Sequence, residues 1–185
     1  MKNILIINGH EYYDFAKGQL NKTLFEEIKK VLSNDFEIKT TTIQDGYSIE
    51  EEQEKYKWAD IIIFQTPIYW FSLPGLFKKY IDEVYSYGVF FIGSPEGYGK
   101  GGLMTGKKYM YSTTWNAPEN EFNEKEKFFN GKPLDEAIEH LHKMQQFVGM
   151  THLESFAAYD VVSNPDIDKY LKELRDHLDR VIINH

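Results

Sequence analysis

The sequence predicts an α/β fold: a parallel sheet of five strands, order 2-1-3-4-5, covered by helices on both faces. Three observations predict it. Short, wholly apolar runs recur, as in Ile4 to Ile7 and Ile61 to Phe64, the pattern of strands buried on both sides. Between them lie stretches whose apolar residues fall three and four apart, such as Leu20, Leu24, Ile28 and Val31/Leu32. Strand and helix then alternate five times, which implies right-handed crossovers and a sheet held between two helical layers.

Each element has its own signal. Ile4 to Ile7 opens the sheet. A loop from Asn8-Gly9-His10 to Gly18 leads into the first helix. Phe36 to Ile43 alternates apolar and polar residues and reads as an edge strand. Ser48, with Glu51 three residues on, has capping-box spacing for a helix running to about Trp58. Asp60 introduces the central strand, Ile61 to Thr66. Then come an aromatic loop, Pro67-Ile68-Tyr69-Trp70-Phe71-Ser72-Leu73-Pro74, and a helical pattern from Gly75 to Tyr85. Residues 88–106 carry seven glycines and are expected to be an irregular excursion lying over a site. Lys107 to Thr113 is the fourth strand. Thr114 to Gly131 is a long loop with a helical turn expected at Glu124 to Phe129. Pro133 begins a helix through Ala137, Ile138, Leu141, Met144 and Phe147 that Gly149 stops. His152 to Val162 reads as the fifth strand, and Asn164-Pro165 starts the last helix through Tyr170, Leu174, Leu178 and Ile182. No repeat or linker divides the 185 residues, so residues 1–185 are expected to form a single domain, a flavodoxin-like three-layer sandwich.

Composition narrows the function classes. The chain has no cysteine, which removes disulfides and thiolate metal sites and fits a cytoplasmic setting. A net charge of −8 without a basic tract argues against nucleic acid as a partner. Met1-Lys2-Asn3 leads straight into an apolar run too short for a signal peptide or a membrane span, so no membrane insertion is expected. The six histidines are dispersed: His140 and His142 point to different helix faces, and His152, His177 and His185 are scattered, so no metal site is expected. His10 stands apart because it lies in the loop after the first strand. No G-x-S-x-G nucleophile elbow, G-x-G-x-x-G fingerprint or P-loop is present. The acidic run Glu50-Glu51-Glu52 reads as a solvated helix face.

In an open α/β sheet, ligands bind outside the carboxyl ends of the strands, at the switch point. Three loops of unusual composition fall there. Ala16-Lys17-Gly18-Gln19-Leu20-Asn21-Lys22-Thr23 enters a helix N-terminus, where free N–H groups and the dipole attract phosphate. An ordinary strand–helix connection would also contain such a glycine. The Pro67 to Trp70 loop, with Phe71, offers rings to a large flat ligand such as a flavin, although most aromatics of a chain this rich in them belong to its core. Thr113-Thr114-Trp115-Asn116-Ala117-Pro118 could bond the polar edge of such a ring through Asn116 and backbone amides, or be a capped turn packed by Trp115.

At these loops the sequence resembles a known family. Ile6-Ile7-Asn8-Gly9, Gly18-Gln19-Leu20-Asn21, Trp58-Ala59-Asp60, Lys78-Lys79-Tyr80-Ile81-Asp82, Gly101-Gly102-Leu103, Gly106-Lys107-Lys108-Tyr109-Met110, Thr114-Trp115-Asn116-Ala117-Pro118, Phe128-Phe129 and Gln146-Phe147-Val148-Gly149-Met150 are similar to the modulator of drug activity B group. These are flavodoxin-fold NAD(P)H:quinone oxidoreductases that bind FAD as homodimers. The resemblance implies that Ala16, Lys17, Gly18, Gln19, Leu20, Asn21, Lys22 and Thr23 hold the FAD pyrophosphate. It implies that Pro67, Ile68, Tyr69 and Trp70 pack beside the ring system, that Thr114, Trp115, Asn116 and Ala117 bond its polar edge, and that Tyr98 contacts FAD across a dimer interface. Tyr69, Trp70 and Asn116 are the expected catalytic residues. Ala16 stands where family members often carry serine, and Tyr69 where a second tryptophan is common.

The activity so implied is two-step hydride transfer, from NAD(P)H to the flavin and then to a quinone or other small electron acceptor. No side chain is assigned as the acceptor's proton donor. Two alternatives keep the fold: an FMN-dependent nitro- or azo-reductase, and a non-enzymatic flavin-binding electron carrier. The two long loops suit a covered pocket better than a carrier. The aromatic surplus at Tyr80, Tyr85, Tyr87, Phe90 and Phe91 is the sequence motive for a homodimer. Only two arginines exist, Arg175 and Arg180, both in the last helical pattern, so nothing in the sequence separates NADH from NADPH.

Overall fold

The computed structural model describes residues 2–184. Six consecutive residues, Asn3–Asn8, form β1, with β2 (Glu37–Thr42) on one side and the central strand β3 (Ile61–Pro67) on the other. β4 (Lys108–Thr114) follows β3, and every pairing is parallel. With β5 (Thr151–His152) beyond β4, the order β2-β1-β3-β4-β5 is the expected one, with β2 at an edge.

The period-2 geometry of a strand sorts the apolar runs into two cores. Leu5, Ile7, Ile62, Phe64, Tyr109 and Tyr111 face one side, under α2 (Ile49–Trp58), α3 (Gly75–Val84) and α5 (Glu139–Phe147). Ile4, Ile6, Ile61, Ile63 and Met110 face the other, under α1 (Gln19–Leu32) and α6 (Ile167–Leu178). Each fully buried side chain of this size stabilises the fold by about 1.5–3 kcal/mol relative to exposure, so the alternation itself fixes the register. Ser48 caps α2 by accepting from the Glu51 N–H, as its spacing predicts.

Three regions differ from expectation. The fifth strand is two short pieces, β5 (Thr151–His152) and β6 (Phe156–Ala158), both paired with β4. The break occurs where the Ser155 N–H turns away to the Asp135 carboxylate, 3.4 Å away. The helix expected from Pro133 is likewise divided, into α4 (Leu134–Ala137) and α5, at Ile138. In the long loop the helical turn lies at Glu119–Glu121, not at 124–129. Among the described residues no helix is long and apolar enough to cross a membrane, and no group of three or more histidine or acidic side chains is placed to hold a metal ion.

Candidate active site at the carboxyl ends of the strands

The switch point lies between β1 and β3, and the loops that leave β1, β3 and β4 there are the three singled out by composition. Register explains their proximity: Asn8 pairs with Gln65, and Pro67 with Thr114.

The loop after β1 is drawn tight against the sheet. The Gly9 N–H donates to the Gln65 carbonyl at 2.9 Å, and a Cβ at Gly9 would fall 2.1 Å from the Phe77 ring. Tyr13 and Ala16 exchange backbone hydrogen bonds of 3.2 and 3.0 Å, folding residues 13–16 into a small hairpin. Gly18 ends the loop in the left-handed region, φ 70°, and a Cβ there would lie 2.5 Å from the His10 ring. The position therefore demands glycine twice over, for its backbone angle and for the close approach. α1 begins with no side-chain cap and no acidic residue in its first turn, so its leading N–H groups are left for a ligand or water. Lys17, Gln19, Lys22 and Thr23 are exposed around it; Ala16 and Leu20 are half-buried. The Thr23 hydroxyl donates to the Gln19 carbonyl. Asn21 is different: its side chain is buried and points into the sheet.

Behind this loop lies a continuous buried polar chain. The Ser112 hydroxyl donates to Gln65 Oε1 at 2.7 Å, Gln65 Nε2 to Asn21 Oδ1 at 2.9 Å, and Asn21 Nδ2 to Asn8 Oδ1 at 2.7 Å. Asn8 Oδ1 also accepts the His10 N–H at 3.2 Å. His10 itself is buried, not the exposed loop histidine its position suggests. Burial holds its pKa below the ordinary value, against the raising effects of the Ala16 carbonyl and Glu11, so the ring is neutral at pH 7. Its Nε2 lies 3.4 Å from the Tyr69 hydroxyl.

The turn after β3 is built the opposite way. The Ile68 N–H donates to the Thr114 carbonyl at 3.0 Å, and Tyr69 and Ser72 exchange hydrogen bonds of 2.9 and 3.0 Å. The two residues between them, Trp70 and Phe71, take φ values of 47° and 63°. Positive φ at both central positions is the type I′ hairpin turn, normally filled by Asn-Gly; large aromatics there are strained. The result is to hold the rings outward. Trp70 is 94 % exposed, and Phe71 stacks on Phe128 at 5.4 Å between ring centres. Phe71 and Phe128, with Phe129, Ala117 and Glu121, line a pocket of about 280 Å³. On the other flank Tyr69 meets the edge of Tyr13, which stacks on the 88 % exposed Phe15. Burial first, and the charges of Tyr13 and Glu11 second, push the Tyr69 pKa up, so its hydroxyl keeps its proton at neutral pH.

The third loop has a packed side and an open side. Trp115 is buried against Phe122 and Phe129, its indole N–H donating to Thr113 Oγ1 at 2.9 Å and its backbone N–H to the Ala158 carbonyl at 2.8 Å. It builds the turn, and its ring does not face the open side. Thr114 is buried, Ala117 half-buried, and Asn116 exposed at the crest. Pro67 is buried at the end of β3 and Ile68 half-buried beside it. The structure thus brings together residues 16–23, 67–71 and 114–117.

Tyr98 is not among them. It is 95 % exposed and leans on Phe147, beside a groove of about 750 Å³ between α3 and α5. It is larger than the pocket beside Phe71, yet it lies away from the strand ends; the strand ends, not size, locate the site. The 88–106 excursion therefore borders that groove rather than covering the site of its own chain. Tyr80 and Phe90 are core residues and Tyr85 is half-buried, so of the aromatic surplus only Tyr87 is largely exposed. His185 lies outside the described residues, and His142 is engaged by Tyr109 and Asp135.

Reading the sequence missed the amides of Asn8 and Gln65, whose signal was a polar residue closing an apolar strand. It also missed Glu11, whose carboxylate accepts the Leu76 N–H at 2.7 Å in the first turn of α3.

Comparison with known proteins agrees with this fold. The family described as having a flavodoxin-like fold matches residues 2–181. NADPH:quinone oxidoreductase MdaB of Haemophilus influenzae is 41 % identical over 189 residues, covering 97 % of this chain and 98 % of the relative. Among solved structures, a Klebsiella pneumoniae protein provisionally named a quinone reductase superposes with a TM-score of 0.80 at 22 % identity, covering 97 % of this chain and 84 % of that one. General stress protein 14 of Treponema denticola, in complex with FMN, superposes with a TM-score of 0.73 at 18 % identity, covering 97 % of each. The chain belongs to the flavodoxin-like family and, by its kinship with MdaB, to that family's NAD(P)H:quinone oxidoreductases.

Proposed function

We propose that the protein is an FAD-dependent NAD(P)H:quinone oxidoreductase acting as a cytoplasmic homodimer. The observation that carries the reading is the placement of an uncapped, lysine-flanked helix start beside an exposed, outward-held aromatic turn at the switch point. The kinship with MdaB supports it. The residues present fit a flavin phosphate: Gly18 leaves no Cβ over the α1 N-terminus, and no acidic side chain opposes an anion in the first turn. When bound, the flavin would supply the redox chemistry, taking hydride from NAD(P)H and passing two electrons to the acceptor.

The protein's share is binding, orientation and charge. The N–H groups of α1's first turn, with Lys17 and Lys22, would hold the pyrophosphate. Tyr69, Trp70 and Phe71 would wall the ring and the acceptor. Asn116 at its crest would present donors to the ring's polar edge and favour negative charge there. Tyr98, remote from this cluster in one chain, would reach the site of a second copy. Both arginines are engaged, Arg175 by Glu27 and Arg180 in a bidentate pair with Glu154, so selection of a 2′-phosphate would fall to lysine.

The test is the absorption spectrum of the purified protein, the mass of the released cofactor and NAD(P)H-driven reduction of a simple quinone. FAD with quinone turnover is the expected result. The FMN complex and the azoreductases among solved structures of similar fold keep a second reading in play, an FMN-dependent nitro- or azo-reductase. Release of FMN with turnover of an azo dye in preference to quinone would move the assignment there. FMN without turnover would mark an electron carrier.

A further inference from the structure

Three loops form the site, and one buried chain of hydrogen bonds runs beneath them across the strands they leave. It starts at Ser112 on β4, two residues before Thr114. It crosses Gln65 on β3, Asn21 on α1 and Asn8 on β1, and ends at the backbone of His10. His10 continues it in space: its ring packs under Gly18 and its Nε2 faces the Tyr69 hydroxyl. The next residue, Glu11, caps α3 at Leu76, so consecutive side chains of the first loop grip both ends of the aromatic segment, at 69 and at 76.

The chain has a direction. Gln65 and Asn21 each give an N–H to the next residue toward β1 and accept through their oxygen from the side of β4, and the Asn8 oxygen accepts at the end of the chain. Turning any one amide over would set donor against donor or acceptor against acceptor, so the arrangement has one satisfied state. A core built only for stability would need no such chain, because apolar residues of similar volume are as stabilising without the desolvation cost. At its far end stands the Tyr69–Ser72 turn, whose left-handed Trp70 and Phe71 make it the strained element of the site.

We infer that this chain couples the phosphate end of the site to the ring end: an anion on the first turn of α1 sets the Tyr69–Trp70 turn through Asn21, Asn8 and His10, with His10 as the positioning residue that joins the two loops. The inference rests on the flavin-phosphate reading of residues 16–23. It goes beyond that reading by making the two ends of the cofactor site bind cooperatively.

The test separates the two halves of the ligand. The flavin-free, full-length protein is titrated with inorganic pyrophosphate and followed by NMR at the Gly18 amide and the Trp70 indole, the latter assigned with Trp70→Phe. Both resonances are expected to shift with one midpoint, and saturating pyrophosphate is expected to raise riboflavin affinity by about fivefold or more, with riboflavin raising pyrophosphate affinity by the same factor. His10→Ala should leave the Gly18 shift and abolish the Trp70 shift and the cooperativity. Tyr69→Phe, which removes only the hydroxyl and keeps the ring, should do the same if His10→Ala fails to fold. A Gly18 shift with a silent Trp70, or a Trp70 response that survives in the foldable variants, overturns the coupling while leaving the phosphate site intact. No shift at either residue at saturating pyrophosphate overturns the phosphate reading and the inference with it.

Discussion

The loop after β1 turns its polar groups inward, and the turn after β3 turns its rings outward. The first is ordered by buried amides linked in one hydrogen-bonded chain, and by a glycine in the backbone region glycine favours. The second is ordered by two backbone hydrogen bonds that hold a tryptophan and a phenylalanine where neither prefers to be. One end of the site is therefore already made in the folded chain, while the other keeps apolar surface in water that a flat ligand would cover. The contrast suits a cofactor with a fixed, charged handle and a planar working end, approached in turn by two different reactants.

The sharpest way to break this comparison is to remove the middle of the buried chain. Gln65→Leu keeps the volume but strands the Ser112 hydroxyl and the Asn21 oxygen without partners. Urea unfolding should show a loss of about 2–4 kcal/mol, because each orphaned buried group costs about 1–3 kcal/mol. Trp70→Ala should change stability by less than about 0.5 kcal/mol, as surface substitutions do. Equal costs for the two would erase the distinction between a built end and an open one. In turnover the ranking should reverse for the ring: Trp70→Ala is expected to lower kcat/KM for quinone reduction by about 30-fold, from roughly 2 kcal/mol of lost stacking and apolar contact.

A smaller effect sharpens the strain argument. Asparagine tolerates the left-handed region better than tryptophan, so Trp70→Asn should stabilise the flavin-free protein by about 0.5–1 kcal/mol in the same unfolding assay while lowering activity. A destabilised variant would mean that the turn carries no stored cost. The smallest effect is in pH. Burial lowers the pKa of His10 and of His177 in the folded state, so the unfolded chain binds more protons through the window below the ordinary histidine value. Stability from this source is complete above that value and falls as pH drops from about 6.5 toward the folded-state values. Unfolding midpoints at pH 7.5 and 5.5 should show the fall, and His10→Gln should reduce it.

Much of this fold was legible because strands buried on both faces leave long apolar runs, and Ile4 to Ile7 and Ile61 to Phe64 could be little else. The fifth strand was misjudged because its interruption is set by Asp135, which takes the Ser155 N–H from twenty residues away. The site divides in the same way. Gly18 and the Tyr69-Trp70-Phe71 run announce themselves in the local sequence. The Asn8–Asn21–Gln65–Ser112 chain does not, since its links join residues 13, 44 and 47 positions apart on four elements. Its members look like ordinary polar residues until the sheet brings them together. The burial of His10 was not legible for a related reason: a loop histidine is buried only when something flat lies over it, and here that is the bare backbone of Gly18.

The amide groups of Asn21 and Gln65 carry protons that solvent cannot reach while the three loops stay closed, because both side chains are almost wholly buried and each donates inward. Their exchange with deuterium then has to wait for the end of the sheet to open. These two side chains form a clock within the site, timing how often its floor comes apart relative to the whole molecule.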